Sequence, residues 1–316
     1  MKTEKPNWFV RFAWSFWAYL IFVILFGAWV RITHSGAGCG AHWPTCNGDI
    51  IPLQPSLETV IEYTHRLTSG FCGIFGLGML AFAAKRFGLR HRVFIAQALT
   101  LLFVIFEGAI GAGLVLKELV ADNASSARAI VISLHLVNTF FLTGSAAAAA
   151  FFARGKVPRV QFSNSLKWMF RGVGLLMGLV AMAGAITALG DTLFPVAVTE
   201  GTGFFAHVKE DLDATSHFLV RLRIFHPVIA VVFAVAVIII GLNVFDEAQG
   251  QNLFVAKLGK ALMHCTLLEV VVGGTTIVLG APGYMQLTHL FFAQILWTLW
   301  ALIFFSTWRK KDTLVY

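Results

Sequence analysis

Eight apolar runs constrain this chain more than any other feature. They cover about 12–30, 60–84, 93–116, 129–153, 170–189, 218–244, 261–280 and 286–307. A helix needs roughly 20 apolar residues to cross a bilayer. Within lipid the backbone must satisfy its own hydrogen bonds, so runs like these form helices. The expected class is therefore an all-α integral membrane protein with eight transmembrane helices. Composition agrees, because only 13% of the residues are charged against about 25% in soluble proteins. The 30 Phe and 9 Trp suit lipid-facing surfaces and interfacial belts. No cleavable signal is expected, since Met1 to Trp8 is short and basic and leads into a run long enough to span.

The connections alternate in charge. On one side lie Lys2, Lys5 and Arg11; Lys85, Arg86, Arg90, His91 and Arg92; Arg154, Lys156, Arg159, Lys167 and Arg171; Lys257 and Lys260; and Arg309, Lys310 and Lys311. The other side carries Asp49, Glu58, Glu118, Asp122, Asp191, Glu200, Glu210, Asp211 and Asp213, with Lys117, Arg128 and Lys209 as minor exceptions. Short positive loops stay cytoplasmic. The chain is thus expected in the plasma membrane with both termini in the cytoplasm. The net charge of +8 reflects this asymmetry, so no nucleic-acid partner is expected, only lipid.

Polar groups stand out against that background. Glu62-Tyr63-Thr64-His65-Arg66 opens the second span, and intramembrane ionisable residues are costly and usually functional. His65, His135, His226 and His289 fall in the first third of the even-numbered spans, which places them in one layer toward the outer face. An internal repeat relates them. His65 and His226 are 161 residues apart, His135 and His289 154, Glu107 and Glu269 162, and Gly27 and Gly184 157. The expected architecture is two pseudo-symmetric four-helix bundles, residues 1–155 and 156–316, with equivalent sites in each half.

Two imidazoles facing each other inside a helix bundle are the ligand set of a bis-histidine haem. His65 with His135, and His226 with His289, satisfy this on paper. Packing histidines are the plain alternative. Zinc is a weaker rival, because the layer has no cysteine. The halves differ at one position: Glu62 stands three residues before His65, and Arg223 three before His226. A carboxylate can move protons, and an arginine can pair with haem propionates, as can Arg66. Glu62 paired only with Arg66 is the structural alternative. His217 rivals His226 as a ligand, and His207 reads as interfacial.

The first outer loop, Arg31 to Gly48, contains Cys39 and Cys46 outside the cytoplasm, where disulfides persist. A disulfide and a zinc site with His34 and His42 are both open. Cys72 and Cys265 read as inert packing thiols.

That loop, the Glu62-x-x-His65-Arg66 motif and the His135, His226 and His289 helices together resemble the haem A synthase family over nearly the whole chain. The resemblance implies oxidation of the methyl group of haem O to the formyl group of haem A. It implies a resident haem b on His226 and His289 with Arg223 alongside, and substrate haem O near His65, His135 and Arg66. It also implies Glu62 as the essential acid and Cys39–Cys46 as a disulfide. The loop at about 190–217 lacks the second cysteine pair of some members. Implied partners are haem O synthase, cytochrome oxidase assembly factors and an unnamed electron donor or acceptor, and self-association is left open. The competing functions are a di-haem b cytochrome in quinol-linked electron transfer and a haem transporter or chaperone.

Overall fold

In hydrocarbon a helix ends only where something other than water can satisfy its terminal amides and carbonyls. The computed structural model describes residues 7–155, 159–195 and 203–307, with side chains from 208 onward in the last segment. Lys2, Lys5, Lys156, Glu200, the His207 side chain, Arg309, Lys310 and Lys311 lie outside the described residues. The described residues form α1 (Trp8–Ile32), α2 (Leu57–Phe87), α3 (Arg92–Leu116), α4 (Ser126–Phe152), α5 (Asn164–Leu193), α6 (Gly203–Leu212), α7 (Phe218–Leu222), α8 (Phe225–Gln249), α9 (Leu253–Val278) and α10 (Gly283–Ser306). Eight spans are long and apolar enough to cross a membrane, α7 and α8 together making the sixth. The chain is an all-α integral membrane protein.

The helices outrun the apolar runs because capping, not hydropathy, ends them. Ser56, Ser125 and Ser163 accept from the Thr59, Arg128 and Leu166 amides, each at 3.2 Å. Asn252 accepts from the Phe254 and Val255 amides and starts α9 well before the expected 261. Lys257 and Lys260 consequently sit on α9, not in a loop. The sixth span is also broken between α7 and α8. Pro227 is the cause. It has no N–H to give Arg223, so the helix restarts just ahead of it.

Helix α1 packs on α2 and α4, and α3 packs on α2 and α4, so the first four helices close on themselves. In the second half α8 lies between α5 and α9, and α9 packs on α10. Helix α4 also packs on α5 and α10, and α1 touches α10. One apolar cluster therefore runs from Phe9 through α4 to Ile303. Helices in lipid gain little from hydrophobicity itself and associate through close packing of small residues and interhelical hydrogen bonds. The buried run Ala146–Ala150 on α4 supplies the first. Gly241 and Gly259 let α8 and α9 approach so closely that a Cβ on Gly259 would lie 2.8 Å from the Gly241 carbonyl. The second comes from Gln294 on α10, which accepts from Thr143 at 3.0 Å and donates to Thr139 at 3.1 Å on α4.

Two arginines that the charge pattern left unexplained prove to be ties. Arg31 at the end of α1 donates to the Ala188 carbonyl (2.5 Å), Thr192 and Gln286 (3.0 Å), joining α1 to α5 and α10. Arg128 donates to the Ala121 and Asn123 carbonyls and holds the loop before α4.

Candidate functional site

The loop after α1 is folded down onto α2. Thr59 donates to the Gly38 carbonyl at 2.6 Å and Tyr63 to the Ile50 carbonyl at 2.8 Å. Gly38 lies so near α2 that a Cβ there would be 2.4 Å from the Glu58 backbone. No other residue fits. Cys39 and Cys46 are joined by a disulfide. Their sulfurs bind each other, and His34 pairs instead with Asp122 at 3.0 Å, so the cysteine–histidine zinc option fails.

Glu62 is buried beneath this loop, 3% exposed. Its carboxylate accepts from the Cys39 amide at 2.8 Å and from Arg66 Nε at 3.0 Å and Nη2. Arg66 Nη1 donates at 2.7 Å to the carbonyls of both His42 and Thr45. Of the two roles open to Arg66, pairing with Glu62 or with a propionate, the structure displays the first. The disulfide loop, Arg66 and Glu62 form one unit, with Glu62 one turn ahead of His65 on the same helix.

The four histidines share one end of the helices, and the repeat proves to be a repeat of contacts. His65 lies against Gly27, where a Cβ would be 3.0 Å from its ring, and His226 lies against Gly184, where a Cβ would be 2.9 Å away. A Glu107 oxygen contacts His135 Nδ1, and Glu269 Oε1 lies 3.2 Å from His289 Nδ1. His226 and His289 face each other with ring centroids 6.3 Å apart and planes at 76°. Gly273 presses on the other side of His289, a Cβ there falling 3.1 Å from the ring, but the equivalent Gly111 has nothing within 4 Å. His65 is held by the edge of Phe26 at 5.5 Å.

His217 caps α7 by accepting from the Leu219 amide at 3.3 Å and stacks on Phe194 at 4.8 Å. The ring that faces His289 is His226. Arg223 is 3% exposed and gripped by carboxylates: Asp211 at 2.9 Å, Asp191 at 3.2 Å and Glu210 at 3.5 Å, with the Phe194 carbonyl at 3.0 Å. Its visible role is to tie α5, α6 and α7 together, and its Nη2 is left without a hydrogen-bond partner.

Residues 10–301 match the family described as cytochrome oxidase assembly protein (COX15-CtaA). The chain belongs to this family. The match takes in the disulfide loop, Glu62 and all four histidines. A Thermus thermophilus protein named protoheme IX farnesyltransferase is 38% identical over 309 residues, covering 96% of this chain and 49% of that protein. The chain thus spans about half the length of this relative. Proteins named heme A synthase from Halalkalibacterium halodurans and Alkalihalophilus pseudofirmus are 41% and 40% identical over 96 residues, 30% of this chain and 32% of each relative.

Glu107 and Glu269 are the site residues that the histidine pattern alone misses. The signal for them was present, since both are acidic residues inside apolar spans and 162 residues apart. What was not readable is the register that brings each to a histidine on the next helix.

Proposed function

We propose that this family member is a haem A synthase, an oxidoreductase that converts the methyl group of haem O to a formyl group for cytochrome oxidase. The observation that carries the reading is two equivalent histidine pairs, of which only the first has a fully buried carboxylate, Glu62, one turn before a histidine on the same helix, where the second has Arg223. Relatives named heme A synthase support it.

The second-half residues fit a resident haem b. Metal–imidazole bonds of about 2 Å on each side, with ring radii of about 1.1 Å, put the ring centres about 6 Å apart, and His226 and His289 are 6.3 Å apart. Gly184 and Gly273 leave flat faces beside both rings. Bound there, haem b supplies one-electron transfer. The protein's part is to hold and orient it through His226 and His289, with Arg223 three residues before His226.

In the first half, His65 and His135 bind the substrate, and Glu62 handles protons. Two successive two-electron oxidations at the methyl carbon, each adding a hydroxyl from water and passing two electrons to an external electron acceptor with release of two protons, would give a gem-diol, which loses water to leave the aldehyde. Each oxidation removes a C–H hydrogen, and a fixed carboxylate beside the site is where such a proton is received. Arg66 and the Cys39 amide keep Glu62 pointed and balance its charge. The two halves act as two bundles, the histidine layer lies toward the outer face, and both termini are cytoplasmic. The name of the Thermus relatives describes transfer of a farnesyl group to protohaem, which supports a haem O synthase as the partner supplying substrate, beside the assembly factors of cytochrome oxidase.

Pigment extracted from the purified protein and resolved by liquid chromatography with mass detection tests this. Haem O and haem A beside haem b are expected. Haem b alone at two per chain would establish the electron-transfer cytochrome instead, and substrate haem bound but never altered would establish a carrier.

The disulfide leads to a further expectation. Closing so short a loop contributes about 2–3 kcal/mol, small beside a core that extends from α1 to α10. Cys39→Ser/Cys46→Ser should therefore melt within a few degrees of the parent. Haem A formation should drop, because the loop that carries the residue-39 backbone amide is no longer fixed over Glu62. A double variant with full activity would show that the loop positions nothing.

A further inference from the structure

Glu107 and Glu269 are half-buried carboxylates within membrane spans that the reaction does not use. A carboxylate in such a place is expensive and has to be matched by a donor. Yet both Glu107 oxygens and Glu269 Oε2 are buried without a hydrogen-bond partner, as are Nδ1 of His135 and of His289. In the first half the unpartnered Glu107 Oε2 and His135 Nδ1 face each other, and in the second half the other oxygen of Glu269 faces His289 Nδ1. Glu269 Oε1 stands 3.2 Å from His289 Nδ1, and Glu107 Oε2 touches His135 Nδ1. Each contact joins a carboxylate to the Nδ1 of a histidine on the next helix.

A neutral imidazole carries one proton, on either nitrogen. When Nε2 is given to a metal, the proton must sit on Nδ1, which then becomes a donor aimed at the carboxylate. Ligand binding at Nε2 and satisfaction of the glutamate are thus the same event. Resting on the haem reading above, we propose that Glu269 and Glu107 are positioning residues that fix the Nδ1–H tautomer of His289 and His135, turn Nε2 of each toward the iron and make the imidazole a stronger donor. A carboxylate behind a ligating histidine raises its basicity in just this way. A more basic axial ligand stabilises the oxidised iron and lowers its reduction potential.

The two halves apply the device unequally. His289 is clamped, with Glu269 at its Nδ1 and Gly273 at its ring. His135 has Glu107, but the space at Gly111 is open. The second-half ring is therefore packed against Gly273, and the first-half ring lacks the equivalent contact. That suits a resident group in one site and an exchanging one in the other.

Glu269→Gln in the full-length protein tests the proposal. The amide keeps the shape and removes the charge. Haem b content per chain, the midpoint potential of the bound haem and the low-spin electron paramagnetic resonance of its oxidised form are read together. The expected result is haem retained, the potential raised and the g-values moved toward those of a neutral imidazole ligand. Glu269→Leu, with no acceptor, should move both readouts further or release the haem from a protein that still melts cooperatively. Glu247→Gln, on α8 beside Ser163, is the control for loss of a carboxylate and should change neither. Haem retained in Glu269→Gln with an unchanged potential and unchanged g-values would overturn the proposal. A parent protein that binds no haem would overturn the haem reading itself, so the two failures are distinct.

Discussion

Glu62→Gln is expected to abolish conversion of haem O to haem A while the protein keeps its haem b. The substitution is nearly isosteric, but Glu62 accepts from the Cys39 amide through Oε2 at 2.8 Å and from Arg66 through Oε1 at 3.0 Å, so the amide oxygen keeps one of these bonds and the NH2 loses the other. That cost is local to the loop over α2, and His226 and His289, on α8 and α10, are untouched. What goes is the ability to take a proton. Loss of a positioned general base costs roughly 10²–10⁴-fold. Haem O, or a partly oxidised form of it, should accumulate. The measurement is haem A formed per bound haem b, so that expression cancels. If Glu62 served only to neutralise Arg66, the variant would express or melt poorly while each molecule turned over normally. A ratio near that of the parent would remove Glu62 from the chemistry.

Removing either ring of the facing pair is expected to empty the second-half site. His226→Ala and His289→Ala each take away one of two ligands 6.3 Å apart, and a resident haem held through a single histidine exchanges readily. The reduced haem b spectrum should fall to a small fraction of the parent in both. Because a large-to-small change in a bundle could act through folding, a gentler variant accompanies them. Gly184→Ala places its Cβ where 2.9 Å now separates it from the His226 ring, so that ring must shift. It should weaken or distort the haem spectrum with far less effect on melting. Undiminished haem b in both alanine variants would transfer the ligand role elsewhere, first to His217.

The two expectations differ in how much of their basis the sequence contains. Spacing alone pairs Glu62 with His65, because residues three and four apart share a helix face. Spacing also finds the four histidines and their repeat. It does not show that Glu62 touches the Cys39 amide, 23 residues away across a loop, nor that Arg66 is occupied by Glu62 and two loop carbonyls. Arg223 makes the same point. Read from its neighbours it is a free cation beside a histidine, but in the fold it is enclosed by Asp191, Asp211 and Glu210, whose approach depends on the course of α6 and α7. Helix α6 and the break that separates α7 from α8 were not foreseen, because a ten-residue helix and a break at Pro227 leave only a weak mark on hydropathy.

The sequence by itself determined the class of fold, the eight spans and the identity of the polar residues placed inside them. Lipid leaves the backbone of a single run one solution, and a charged group in a span stands out whatever surrounds it. Helix ends, the arginine ties and the glutamates behind His135 and His289 were decided only by the tertiary structure. Each depends on the rotation and depth at which one helix meets another. That register is set by contacts such as Gly241 on Gly259 and Gln294 between Thr139 and Thr143, which join residues far apart in the chain and leave no periodic trace along it.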